Sequence, residues 1–387
     1  MPRRSAPRQV ALVVETSNAY ARGLLTGIRH FVLSRPHWSI YLVEHSRYET
    51  DFSWLDGWHG DGMLARIENE ETARLVRTLG LPAVDLSAKR LLPELPCVET
   101  DDSVIAGLAV EHFAERGLRR FAYCGDPRFG WSLARAKAFA RDARAHGTHA
   151  GEFSMGASAR RADERLRLAA WLRTLPRPVG VLACYDMAGQ EVLEACALAD
   201  LRVPDDVAVL GVDNDELFCN LTSPPLSSVQ PDAVRTGFLA AEILDDMMAG
   251  RPRTPDVHTI PPLRIATRQS SDVIAVGEPS LAAALRYIRD HADEAVTVQA
   301  VVDHTPLSRR ALEYRFTTNL GRTIHSEILR VRMARVADLL MSTDWTLPRI
   351  AESLGFPHSE YMGVTFKRQT GMSPGEYRGH VSSRSVG

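Results

Sequence analysis

Along the first two-thirds of the chain, short apolar runs alternate with stretches whose apolar residues recur every three or four positions. Residues 10–16, 40–44, 62–66, 83–86 and 98–99 read as strands, and 21–33, 70–79 and 103–116 as helices. The first of these helices carries Leu24, Leu25, Ile28, Phe31 and Val32 on one side. The pattern restarts with strands at 120–124, 180–184 and 207–212 and helices at 132–146, 164–175 and 189–199. A further helix over 232–248 ends at Gly250, and 258–262 is extended. Such alternation with short connections predicts parallel sheets covered by helices on both faces. Its repetition, at roughly a hundred residues a time, predicts two Rossmann-like lobes.

From about residue 296 to 377 the pattern becomes purely helical, and one unit occurs twice. Thr297 aligns with Thr346 and Leu307 with Phe356, then Phe316 with Phe366 and Gly321 with Gly371, the offset slipping by one residue in the second helix. Each copy has a short helix, a tight turn and a second helix with a polar first turn, the signature of a helix-turn-helix. Ser280 is expected to cap a helix with Leu281, Leu285 and Ile288 that opens this all-α domain. A helix over about 326–341 separates the copies, and its Ile328, Val331, Val336, Leu339 and Leu340 can pack on both. At 1.5 Å per residue it spans roughly 24 Å. With the offset at each end, this predicts recognition helices near one DNA turn, about 34 Å, apart.

The 387 residues allow two or three ordinary domains. The basic start, residues 1–9, is followed by too short an apolar run for a secretory signal, and no run approaches the ~20 residues of a membrane span. Five scattered cysteines (97, 124, 184, 196 and 219) form no CxxC pair, so buried thiols in a reducing cytoplasm are expected rather than disulfides or a metal site. From Ser280 onward there are fourteen Lys/Arg against eleven Asp/Glu, about +3, which leaves the preceding part near −5. That asymmetry alone would not identify a nucleic-acid binder; the repeat carries that inference. No GxGxxG after a strand, P-loop, GxSxG or HExxH occurs, so the residues do not point to an enzyme or a cofactor.

Ile350-Ala-Glu-Ser-Leu-Gly-Phe356, then Phe366-Lys-Arg, then Gly371-Met-Ser-Pro-Gly-Glu-Tyr377, resembles the signature of AraC-family transcription regulators over roughly the last hundred residues. The preceding region resembles LacI-type sugar sensors of periplasmic-binding-protein-like fold, through Asp61-Gly-Met-Leu, Arg135 with Phe139, the run from Leu201 to Asp213, and Pro225-Leu-Ser-Ser-Val229. LacI-type repressors carry their DNA-binding headpiece before the sensor; here the sensor starts near residue 10 and the output domain lies at the other end. That fusion, with Gly211-Val-Asp-Asn-Asp-Glu216 and Thr323-Ile-His325, resembles the xylose-operon regulators of the XylR type. The implied layout is a two-lobed sensor over 8–268, a linker over 269–279 and a double helix-turn-helix domain over 280–380. Lobe 1 would take about 8–117 and 230–250, and lobe 2 about 118–229 and 255–268. The resemblance implies a cytoplasmic homodimer that binds double-stranded DNA and a sugar effector, with D-xylose favoured. RNA polymerase would be a partner if the regulator activates.

In the first recognition helix Ser308, Arg309, Arg310, Glu313 and Tyr314 fall on the face turned to base edges, where Arg can bind guanine bidentately. Arg315 is open to a phosphate or an intraprotein partner. The second helix offers His358, Ser359 and Glu360, with Gly363 and Val364 beyond; Lys367 and Arg368 are better placed for phosphates. The first helix is therefore expected to read bases and the second mainly to position. For the effector, strand ends supply Glu15, Asn18, Tyr20, Arg66, Asp186 and Asp213. Asp101, with Asp102, precedes a crossover helix, and Trp131 precedes Arg135. Paired hydroxyls call for planar bidentate groups, and the C–H side of a sugar for an aromatic face. Arg135 and Asp213 match the arginine and carboxylate that contact sugar in LacI-type sensors. A strand-terminal Asp is also a common helix cap. The competing reading is a regulator whose sensor has lost sugar binding and acts through protein contacts, or senses another small molecule.

Overall fold

The computed structural model describes residues 7–35, 38–46, 51–55, 57–156, 160–251, 253–272, 279–292 and 294–378. The chain divides into two units, 1–273 and 274–387. The first unit begins with β1 (Arg8–Val13), α1 (Ala19–Ser34), β2 (Trp38–Leu42), β3 (Gly62–Ala65), α2 (Glu70–Leu79), β4 (Ala83–Asp85) and β5 (Cys97–Thr100). It continues through α3 (Asp102–Glu115), β6 (Arg120–Gly125), α4 (Gly130–His146), β7 (Thr148–Ser154), α5 (Arg161–Thr174), β8 (Val179–Ala183) and α6 (Asp186–Leu198). Then come β9 (Val207–Val212), α7 (Glu216–Leu221), β10 (Ser227–Gln230), α8 (Ala233–Met248), β11 (Val257–Ile260) and β12 (Arg264–Ala266).

Two six-stranded sheets result, ordered β11-β5-β4-β3-β1-β2 and β12-β10-β9-β8-β6-β7. All neighbours are parallel except β12, which runs antiparallel to β10. Inner strands such as β8 and β9 are buried at every position, because helices cover both faces and leave no wet side for polar alternation. In the first lobe α1 lies against α8, with Leu24, Ile28 and Phe31 joining Ala240, Ile243 and Leu244 in one core. The helices touch at two glycines: a Cβ on Gly27 would stand 2.0 Å from the Val234 carbonyl oxygen, and one on Gly237 would stand 2.1 Å from that of Leu24.

Three expected boundaries move. α3 was expected in lobe 1, but it packs along α4. Its Phe113 fills the space over Gly180 of β8, so the chain has already crossed to the second lobe after Thr100. β11 was expected in lobe 2 and instead pairs with β5 in the first sheet, Val257 opposite Cys97. The chain crosses for the third time only between β11 and β12. The expected linker starts too early: Gln269–Ser271 form a short 3-10 turn with Ser270 and Ser271 buried. Ser270 Oγ donates to the Val209 carbonyl at 2.7 Å and accepts from the Ser227 amide at 2.8 Å. Residues 273–278 of that stretch lie outside the described residues. β7 had not been expected at all; its residues Thr148–Ser154 are only half-buried at a sheet edge and lack an apolar run.

The second unit is helical: α9 (Pro279–Asp290), α10 (Val298–Asp303), α11 (Arg309–Leu320), α12 (Ile324–Ser342), α13 (Leu347–Ser353) and α14 (Ser359–Thr370). α9 starts at Pro279, one residue before the expected cap Ser280. α12 is shared by two cores. Ile324 and Ile328 join Leu285, Val301, Leu312 and Phe316. Met333, Val336 and Leu340 join Ile350, Met362 and Phe366. α11 and α14 both stop at a left-handed glycine, Gly321 (φ 64°) and Gly371 (φ 80°).

Candidate effector cleft and nucleic-acid interface

The sensing unit places its polar residues where strands of both sheets end. A cleft opens there, beside the first two crossings at Thr100–Asp102 and Pro231. From the first lobe come Tyr20, in the opening turn of α1, Arg66, just beyond β3, and Glu99, near the end of β5. From the second come Asp102, Trp131, Arg135 and Asp213.

Each arginine is held by a carboxylate and lies over an aromatic ring. Arg66 is ion-paired with Glu15 and with Glu68 (2.9 Å), and its guanidinium stands 5.4 Å from the centre of the Tyr20 ring. Arg135 donates to Asp102 Oδ1 through two nitrogens, at 3.0 and 2.6 Å, and to the Cys184 carbonyl; it stands 5.2 Å from the Trp131 ring. Trp131 is itself stacked on Phe129, centroids 5.0 Å apart. These fixed planar groups and flat faces are what a hydroxylated ring needs on its two sides.

Burial pushes Glu99 and Asp186 toward their neutral forms. Burial, helped by the charge of Asp102, raises Glu99 to about 7, and its Oε2 finds no hydrogen-bond partner among the described residues. Burial, with Asp213 adding, raises Asp186 to about 8. Burial also pushes the Tyr20 hydroxyl up to about 12; that group accepts from Thr100 Oγ1 at 3.0 Å. Asp213 and Asn214 follow β9 with φ of 114° and 48°, a conformation that non-glycine residues seldom hold and that clusters at ligand sites. The Asp213 amide donates to Val229 and the Asn214 amide to Ser228 Oγ, both at 3.0 Å, which secures the turn.

Of the residues singled out from sequence, Tyr20, Arg66, Trp131, Arg135 and Asp213 converge on this cleft. Glu15 stands behind Arg66 as its counter-ion. Asn18 caps α1 and, with Asp186, lines a neighbouring cavity that shares Asp213. Asp186 accepts from Ser228 Oγ (2.6 Å) and the Asp215 amide (2.8 Å), so it braces the strained turn. Asp101 does not reach the cleft: it caps α3, accepting from the Ser103 and Val104 amides, and its neighbour Asp102 lines the wall instead. Glu99 and Ser87 went unnoticed, although a carboxylate near a strand end beside two more carboxylates is a readable signal.

In the helical unit Arg309, Arg310 and Tyr314 are exposed on α11. Ser308 is the cap of that helix, accepting from the Ala311 amide at 3.3 Å. Glu313 turns back to accept from the Ile324 amide at 3.3 Å, so the α12 start holds its carboxylate, contrary to a face free for bases. Arg315 is half-buried. On α14, Glu360, Lys367 and Arg368 are exposed, Ser359 is half-buried, and His358 is the N-terminal flank without a side-chain cap bond. Arg332 from α12 lies 3.7 Å from the Phe356 ring and donates to the Leu354 carbonyl, tying the second helix-turn-helix to the central helix. Among the described residues no helix is long and apolar enough to cross a membrane, and no cluster of His, Cys, Asp and Glu could hold a metal.

A two-lobed ligand-sensing unit followed in one chain by paired helix-turn-helix motifs defines a DNA-binding transcription regulator. Residues 9–103 match the XylR N-terminal domain, 110–271 the periplasmic binding protein-like domain and 301–380 a helix-turn-helix domain. A xylose operon regulatory protein of Haemophilus influenzae is 30% identical over 380 residues, 96% of this chain and 98% of that one. That of Escherichia coli strain K12 is 29% identical over 381 residues, 96% of each. A solved structure described as the xylose-binding transcription activator xylR matches with a TM-score of 0.77 and 28% identity, covering 97% of this chain and 98% of that one. The transcriptional regulator CelR bound to cellobiose shares the fold, at a TM-score of 0.57 and 22% identity over 69% of this chain and 86% of that one. The chain belongs to the family of xylose operon regulatory proteins, transcription regulators and not enzymes.

Proposed function

We propose that this regulator senses an aldopentose, D-xylose or a close relative, in the cleft between its two lobes, and passes that binding on to its helix-turn-helix pair. The observation that carries the reading is the paired arrangement of Arg66 over Tyr20 and Arg135 over Trp131, one pair from each lobe, with Glu99, Asp102 and Asp213 lining the same cleft. Charged groups of both signs accept and donate to neighbouring hydroxyls, and the rings cover C–H faces. Because only a closed arrangement lets both lobes touch the sugar, binding selects closure.

The closed sensor alters the placement of DNA-binding units in a homodimer acting in the cytoplasm, with RNA polymerase as the partner of the activated form. Arg309 and Arg310 of α11 read bases, and Lys367 and Arg368 of α14 hold phosphates. The purified protein is to be melted with and without xylose, arabinose, ribose and glucose. A ligand that binds only the folded state raises the midpoint, by about 2.7 kcal/mol of added stability at a hundredfold excess over Kd. Xylose is expected to give the largest shift. No shift with any sugar, alongside intact DNA binding, would mark a sensor that works through protein contacts instead.

A further inference from the structure

The two recognition helices align on their buried residues: Leu312 and Phe316 of α11 correspond to Met362 and Phe366 of α14, all four shut off from solvent. In that register Tyr314 stands opposite Val364, and each is 70% exposed. A single apolar residue at a surface is ordinary. The same exposed, apolar-bodied position in both copies, two residues before the buried Phe, is not explained by the packing of either copy. Valine at mid-helix also carries a small helix-propensity cost, through its restricted χ1.

Gly363 sharpens the point. Among the described residues a Cβ added there would meet nothing nearer than Pro374 Cγ at 4.0 Å, so no packing among them requires the glycine. Its counterpart in the first copy, Glu313, is engaged with the start of α12. The second helix therefore presents Val364 beside a bare flank, where a groove edge can come close. Glu360, Val364 and Lys367 fall at helical spacings on one face, and Arg368 adjoins it. Two cations beyond the valine favour a polyanion over an apolar protein surface as the occupant.

We propose that this register position is an apolar base reader, with Val364 set against the C5-methyl group of a thymine in the major groove and Tyr314 in the same place in the first copy. The thymine methyl is the one apolar group that base edges offer in that groove. The inference rests on the reading of the helical unit as a DNA-binding module, and it gives α14 a share in sequence discrimination beyond holding phosphates.

The test uses the full-length protein and a duplex recovered by its selection from a randomised library. Each thymine is replaced singly by deoxyuridine, which removes only the methyl group. Wild type is expected to lose about fourfold in affinity at a thymine under the second recognition helix, the worth of one buried methyl. Val364→Ala should show that loss already on the thymine duplex and be indifferent to deoxyuridine at that position, while responding as wild type elsewhere. Val364→Ile should keep the methyl dependence. An unchanged melting midpoint of Val364→Ala shows that the fold is intact, as its exposure predicts. The proposal is overturned if Val364→Ala keeps every methyl dependence of wild type, or if it binds more weakly by the same factor on both duplexes. Failure to enrich any duplex would overturn the DNA-binding reading and this proposal with it.

Discussion

Arg135 and Asp102 lie on neighbouring helices of the second lobe with both side chains nearly out of solvent. Asp102 orients the guanidinium, and Trp131 shields its face. Removing one partner leaves the other as an unpaired buried charge. Arg135→Ala is therefore expected to cost about 3–5 kcal/mol in chemical denaturation. The double replacement Arg135→Met with Asp102→Leu should recover most of that loss, because no charge is then stranded. Glu99 supplies a prediction of the opposite sign from most surface carboxylates. Its folded-state pKa is raised from 4.5 to about 7. Between those values the folded form binds the extra proton, so stability falls as pH rises through the window and stays low above it. Glu99→Gln cannot ionise. Its denaturation midpoint relative to wild type should climb from pH 5 to pH 7 and then level off; a constant difference would refute the assignment.

At the scale of elements, α1 and α8 hold the first lobe together through backbone contact at Gly27 and Gly237. Gly237→Ala drives a methyl into the Leu24 carbonyl, and the helices must separate to admit it. A loss of roughly 1–3 kcal/mol is expected from overpacking of this kind, read as a lower denaturant midpoint. Most elements were legible in the sequence, because apolar runs and helical spacing depend on neighbours a few residues away. What α3 packs against was not. Its Ile105, Ala109 and Phe113 form a buried face that would suit either lobe, and only the direction of the chain after Thr100 decides. The same holds for β11, whose partner Cys97–Thr100 lies far back in the sequence. In the helical unit, Thr297, Thr323 and Thr346 each accept from an amide three residues on, so the helix starts could be read from single residues.

On the scale of the whole sensing unit, the three crossings define what can move. The cleft lies beside two of them, and Arg22 of α1 reaches across to Asp215 at 2.9 Å, a further contact between the lobes. On another edge a Cβ on Gly130 would stand 3.0 Å from the Lys89 Cα, so the lobes already approach closely there. Tyr20, Arg66, Trp131, Arg135 and Asp213 were readable in advance as strand-end or helix-start residues of suitable chemistry. Glu99 and the exchange of Asp101 for Asp102 were not, because the choice between adjacent carboxylates depends on which one the helix start consumes as a cap. The most direct test of the cleft as the effector site is a calorimetric titration of D-xylose into the full-length protein and into the folded Arg135→Met, Asp102→Leu variant. Wild type is expected to bind saturably with one sugar per chain, and the variant to give no binding heat at the same concentrations. Equal binding by the two proteins would place the effector elsewhere and contradict the account.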